Sequence, residues 1–254
     1  GNGQYAMAIL LPNLLVNFLN LGIGPANVYY LGRQEVAARQ ATIENVKIAG
    51  IIAGAGTIGA LVLVRTWGET LFPGIPSVLL YIGISAFPIA LLVQYLRTIL
   101  QGMEDFKAFN WATLASPLSS LLYIFVAVYV LGLGLTGAVA GFALGHVTGL
   151  SVVWIYLRRH FKNENGATGS YDNAYIRKSF SYGWKAHLSN ILAFVNYRAD
   201  IFLVNFLLNP AATGVYVIAV QIAEKLWLLS KATSTVLLPR LSAMHENPQA
   251  RLRL

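Results

Sequence analysis

Cysteine is absent from the 254 residues, which excludes disulfides, thiolate chemistry and any Cys-ligated metal. Charge is scarce too. Asp, Glu, Lys and Arg make up 11%, against about a quarter in a soluble domain, and the mean hydropathy is +0.60. So little polar surface cannot cover a water-facing globule, and the 56% hydrophobic content excludes disorder. Also missing are a phosphate-cradling Gly loop ending in Lys, a His-Glu-x-x-His run and a nucleophile elbow. No enzyme site emerges, and no metal or cofactor is called for. What remains is an integral membrane protein. The net charge of +8 then matters less as a sum than by the side of the membrane on which it falls.

Asp, Glu, Lys and Arg are missing from residues 1–32, 48–64, 70–96, 108–157 and 201–223. A helix crosses the hydrocarbon core in about 20 residues, so the 50-residue gap 108–157 holds two helices with a turn at Leu131-Gly132-Leu133-Gly134-Leu135-Thr136-Gly137. The pattern predicts an all-α polytopic bundle of seven transmembrane helices, at 4–31, 42–65, 76–101, 109–131, 136–159, 178–208 and 211–239. The runs are too long for strands and lack a two-residue alternation.

On this layout 14 of the 18 Lys and Arg residues fall on one face of the membrane, and only Arg65 on the other. Basic loops face the cytoplasm, which puts the first residue outside and the last inside. Residues 161–179 form the one long polar stretch and the expected boundary between two lobes. Residues 1–165 would supply five helices of a first lobe, and residues 166–254 the first two helices of a second. Both ends look cut, with one helix expected upstream and most of the second lobe downstream.

Gly3-Gln4-Tyr5-Ala6-Met7-Ala8 is similar to Gly214-Val215-Tyr216-Val217-Ile218-Ala219, 211 residues on. Asn13, Asn17, Asn20, Gly24 and Asn27 share one helical face. Gln221, Glu224, Lys231 and Thr235 share another, and the offset superposes Asn13 on Glu224 and Asn20 on Lys231. Six spans separate the copies, so the repeat is parallel, about an axis along the membrane normal.

Leu19-Asn20-Leu21-Gly22-Ile23-Gly24-Pro25-Ala26-Asn27-Val28-Tyr29-Tyr30 resembles the second span of the polysaccharide-biosynthesis flippases. These are lipid-linked oligosaccharide exporters of the multidrug/oligosaccharidyl-lipid/polysaccharide superfamily. Leu100-Gln101-Gly102-Met103-Glu104-Asp105-Phe106 resembles the end of that family's fourth span. Tyr197-Arg198-Ala199-Asp200, Gly214-Val215-Tyr216 and Leu238-Pro239-Arg240-Leu241-Ser242 resemble its spans seven and eight. The resemblance covers nearly the whole chain, as spans two to eight of twelve or fourteen. It implies a two-lobed transporter in the bacterial inner membrane. The cargo would be a polyprenyl-diphosphate-linked oligosaccharide, carried by alternating access for O-antigen-type surface polysaccharide.

An ionised group deep in the bilayer is expensive and needs a partner or a wet cavity. Arg198, Asp200, Glu224 and Lys225 are expected at one depth near mid-membrane. In the functional reading Arg198, with Lys231 and Lys225, binds the diphosphate, since a guanidinium fork matches phosphate oxygens. Asn13, Asn17 and Asn20 line the same path, and Asp200 or Glu224 takes a coupling Na+ or H+. In the structural reading the charges are satisfied pairs, Arg198–Glu224 and Asp200–Lys225, that fix helix register.

His146 is expected to be a hydrogen-bonded packing residue more than a proton relay. Gln94, Arg97 and Gln101 share a stripe, on which Arg97 either meets phosphate or snorkels to the headgroups. Gly137, Gly141, Gly145 and Gly149, and Ala49, Gly50, Ala53 and Gly54, suggest close helix packing. Pro12, the Gly22–Pro25 segment and Pro88 should bend or end helices. Two rivals remain: a cation-coupled multidrug extruder, which would favour acids over bases, and a seven-helix retinal photoreceptor.

Overall fold

A computed structural model describes residues 2–72, 75–163, 174–207, 216, 219–220 and 222–225. All regular structure among them is helical: α1 (Asn2–Leu19), α2 (Ile23–Gly32), α3 (Ala38–Leu71), α4 (Ser77–Gly102), α5 (Phe106–Phe125) continued by a π-helical turn (Val126–Val130), α6 (Gly134–Asn163) and α7 (Tyr175–Leu207). The chain divides into two compact units, Gly1–Asn190 and Ile191–Leu254.

Four helices are long and apolar enough to cross a membrane: α3, α4, α5 with its π turn, and α6 up to Lys162. Helices α1 and α2 together make a fifth candidate, bent by 50° between Ala8–Leu19 and Ile23–Gly32. The sequence read this stretch as one helix, 4–31, with a weak point at Gly22–Pro25. The structure instead breaks it at Asn20–Gly22, where Asn20 Oδ1 accepts from Gly22 N at 2.9 Å and so replaces a helical bond. Helix α1 continues through Pro12 and α4 through Pro88, so neither proline ends its helix as the sequence allowed. Helix α7 does not reach the same apolarity over its length, because Lys185, Arg198 and Asp200 interrupt it. Most of the expected span 211–239, and with it the second copy of the repeat, lies outside the described residues.

Helix α4 is the centre of the first unit. Its Leu96, Ile99 and Leu100 are fully buried and pack with Ala108 and Ala112 of α5, Val153 and Leu157 of α6, and Ala41 of α3. The α5–α6 hairpin closes because glycines meet serines. A Cβ on Gly145 would lie 1.8 Å from Ser120 Oγ, and one on Gly149 would lie 1.9 Å from Ser116 Oγ, as the four-residue glycine spacing suggested. The parallel expectation for α3 divides. Ala49 and Ala53 are buried, whereas Gly50 and Gly54 are exposed with nothing against them among the described residues. The two pairs lie about 100° apart around the helix, and only the alanine face meets α4. Trp67, Trp111, Trp154 and Trp184 are exposed, as residues of an interfacial belt would be.

The two loops at the basic end of the bundle share one backbone. After Gly32 and again after Gly102, the next residue but one is left-handed (Gln34 φ +55°, Glu104 φ +59°). The N–H that follows reaches back to the helix, Glu35 N to Tyr30 O at 3.0 Å and Asp105 N to Leu100 O at 3.1 Å, which satisfies end-of-helix carbonyls.

Candidate functional site: a cationic cavity within the bundle

Helices α1, α4, α5 and α6 line an open-sided cavity of about 220 Å³. Its polar wall is Asn13 of α1, Gln94 and Arg97 of α4, Thr113 and Ser116 of α5, and His146 of α6. Gln94 and Arg97 reach it together because residues three apart on a helix point the same way. Arg97 lies five residues before the basic end of α4, about 7.5 Å at 1.5 Å per residue.

Arg97 lines this cavity close to the basic end of its helix, a position that suits either fate the sequence left open for it. The side chain is half-buried, its Cζ stands 5.7 Å from the ring centre of Phe109, and its Nε is buried without a hydrogen-bond partner. Arg97 takes part in none of the ion pairs Arg33–Glu35, Lys47–Glu44 and His160–Asp105. His146 departs from its expectation. Its Nδ1 is buried and unpartnered, and its ring stands edge-on to Phe142 at 4.9 Å, so a hydrogen-bonded packing role does not hold. Chemically, the cavity joins a permanent cation, neutral donors and an uncommitted imidazole, with no carboxylate in its wall.

The expected asparagine stripe splits. Asn13 and Asn17 are both exposed, and Asn13 also lines the rim of the cavity. Asn20 works on the backbone of the break, donating from Nδ2 to Asn17 O at 2.8 Å while accepting from Gly22 N. Asn27 is fully buried in a second polar cluster. Its Nδ2 is within bonding distance of Asn45 Oδ1 (2.9 Å), Thr98 Oγ1 (2.9 Å) and Tyr95 O (3.2 Å), and its Oδ1 accepts from Asn45 Nδ2 at 3.0 Å and from the Tyr175 hydroxyl. Sequence reading missed Asn45 and Tyr175 because they lie near the polar ends of their helices. Asn27 on the stripe was the available signal.

Arg198 and Asp200 lie on α7, but their side chains are outside the described residues, as is Lys231 altogether. Glu224 is half-buried and Lys225 exposed in a short helical stretch of the second unit. At the basic end, outside the spans, Asp105 Oδ1 accepts from Ala108 N at 2.9 Å and caps α5. Its Oδ2 lies 2.8 Å from His160 Nε2. Partial burial pushes the Asp105 carboxyl up, but the Ala108 N–H, His160 and Lys107 together hold it below the usual carboxylate range.

The sequence model of one family, described as "Polysaccharide biosynthesis protein", matches residues 1–245. No curated protein and no solved structure matches the chain.

Proposed function

We propose that this chain, which belongs to the polysaccharide biosynthesis protein family, forms the transport path of a flippase for a polyprenyl-diphosphate-linked oligosaccharide. It would work in the bacterial inner membrane, with its basic loops in the cytoplasm. The observation that carries the reading is Arg97, a permanent cation that lines a cavity among membrane-spanning helices and takes part in none of the ion pairs Arg33–Glu35, Lys47–Glu44 and His160–Asp105. A charge in that position costs several kcal/mol or more unless water or an anion meets it. A phosphoryl oxygen gives a charge-assisted hydrogen bond worth about 1.5–3 kcal/mol.

The cavity is too small for a glycan, so it takes the phosphate end of the cargo while the sugars remain in a wider path. Arg198, Lys225 and Lys231 are the further phosphate contacts in this reading, Asn13, Asn17 and Asn20 its polar lining, and Asp200 or Glu224 the seat of a coupling H+ or Na+. Polyprenol stays in the lipid, and alternate opening to the two sides moves the headgroup. The family sets aside the photoreceptor. A cavity wall of one cation and no acid disfavours a multidrug extruder of cations.

The test is export of lipid-linked oligosaccharide by the full-length protein in a strain lacking its own flippase. Arg97→Ala and Arg198→Ala should each sharply reduce surface glycan at normal protein levels, and Arg97→Lys should retain more of it. Export by Arg97→Ala equal to wild type would defeat the assignment of phosphate to this cavity.

A further inference from the structure

The break between α1 and α2 frees backbone groups, and their partners come from two directions. In an uninterrupted helix Gly22 N would donate to Phe18 O, and Gly24 N to Asn20 O. Here Gly22 N donates to the Asn20 side chain at 2.9 Å and Ile23 N to Asn20 O at 3.2 Å. Asn20 O also accepts from the Tyr95 hydroxyl of α4 at 2.8 Å. Phe18 O accepts from Nε2 of His187, on α7, at 3.0 Å. One turn earlier on α7, Gly183 lies backbone to backbone against Gly22, where a Cβ would come 1.9 Å from Gly183 O. Over residues 175–190, α7 buries Tyr175, Ser179, Gly183 and His187, every fourth residue, so this stripe is the face set against the break.

The bent backbone is itself unfavourable. Leu21 is left-handed at φ +49° beside Gly22 at φ +69°, and a Cβ makes that conformation costly. His187 also keeps Nδ1 buried and unpartnered while docked. Pro25, now in the first turn of α2, would enter a helix interior on straightening, where its ring crowds the Leu21 carbonyl and leaves a kink.

We infer that the broken span is a two-state hinge held bent by α7. When residues 175–190 of α7 withdraw, Gly22 N returns to Phe18 O, Leu21 leaves the left-handed region, and α1 and α2 join into one helix kinked only at Pro25. The hinge thereby transmits movement of α7 into the angle of a span whose Asn13 lines the cationic cavity. It involves no cargo, so it stands or falls separately from the transport reading.

These 254 residues hold no cysteine, so the full-length protein, with any cysteine outside them replaced by serine, can be labelled at chosen sites in lipid bilayers. Spin labels at Leu10→Cys and Gly32→Cys, both exposed, report the end-to-end length of the span. Loss of the 50° bend lengthens that distance by about 3 Å at 1.5 Å per residue. His187→Phe, which removes the donor, and Gly183→Leu, which wedges α7 off Gly22, should each give that increase. Leu21→Gly, which relieves the strain without touching α7, should keep the parent distance. A second pair, Gly32→Cys with Trp184→Cys, reports withdrawal of α7. Either α7 variant decides alone if the other fails to fold. An unchanged span length in a folded α7 variant, with or without withdrawal of α7, overturns the hinge, as does lengthening in Leu21→Gly.

Discussion

Two polar clusters lie inside the unit Gly1–Asn190, built from overlapping helices, and they differ in how fully their atoms are paired. Around Asn27, the side chains of Asn45, Thr98 and Tyr175 and a carbonyl of α4 spend nearly all their hydrogen-bonding capacity on one another. Around Arg97, the Arg97 Nε, Ser116 Oγ and His146 Nδ1 are buried and have no hydrogen-bond partner among the described residues. A satisfied buried network fixes one arrangement of helices, while unsatisfied groups cost stability wherever they occur. The first cluster therefore belongs to the fold. The second is the cluster proposed above to receive the phosphate of the cargo.

Mutations should separate the two clusters. The largest effect is expected for Asn27→Ala, which strands Asn45, Thr98 and Tyr175 together. It should cost about 3 kcal/mol of stability, seen as a lowered midpoint of thermal unfolding in detergent, and export should fall only with the amount of folded protein. Arg97→Ala should do the reverse. Export per folded molecule drops about 10–100-fold, the loss of one charge-assisted hydrogen bond, while the unfolding midpoint holds or rises. If Arg97→Ala destabilised the protein as Asn27→Ala does, the contrast would vanish. His146→Phe sharpens it from the other side. Replacing an unpartnered imidazole beside Phe142 with an apolar ring should leave stability unchanged or raise it by up to about 1 kcal/mol, again read from thermal unfolding.

The smallest effect belongs to Asp105, outside both clusters, and depends on pH. Its folded carboxyl is held below the usual range, so its stabilisation is complete above the unfolded carboxylate pKa and is lost as pH falls through the lower folded value. Asp105→Ala should cost about 1 kcal/mol at neutral pH, the usual worth of an N-cap. The gap from wild type should close in acid, and a gap that persisted at low pH would remove the carboxylate from the account.

Much of the fold was legible because it depends on nearest neighbours along the chain. Uncharged runs marked α3 to α6 within a few residues, and the glycine spacing of α6 marked its close approach to α5. The break at Asn20–Gly22 was legible only as a weak point, because what opens it is a set of partners from distant helices, Tyr95 and His187. The cavity was harder still. Gln94 and Arg97 were seen to share a stripe and His146 to stand alone in its span, but that α1, α4, α5 and α6 turn these residues toward one another depends on helix rotation. A single helix does not encode its rotation against its neighbours.

The sequence by itself determined the solvent, the number of apolar runs, the basic face and the family, since each follows from composition and order. The tertiary structure decided which buried polar groups are paired and which are not. Hydrogen bonding is short-ranged and directional, so Asn27 and Arg97 read alike in the chain and part company only when packing brings Asn45 and Tyr175 to one and no partner to the other.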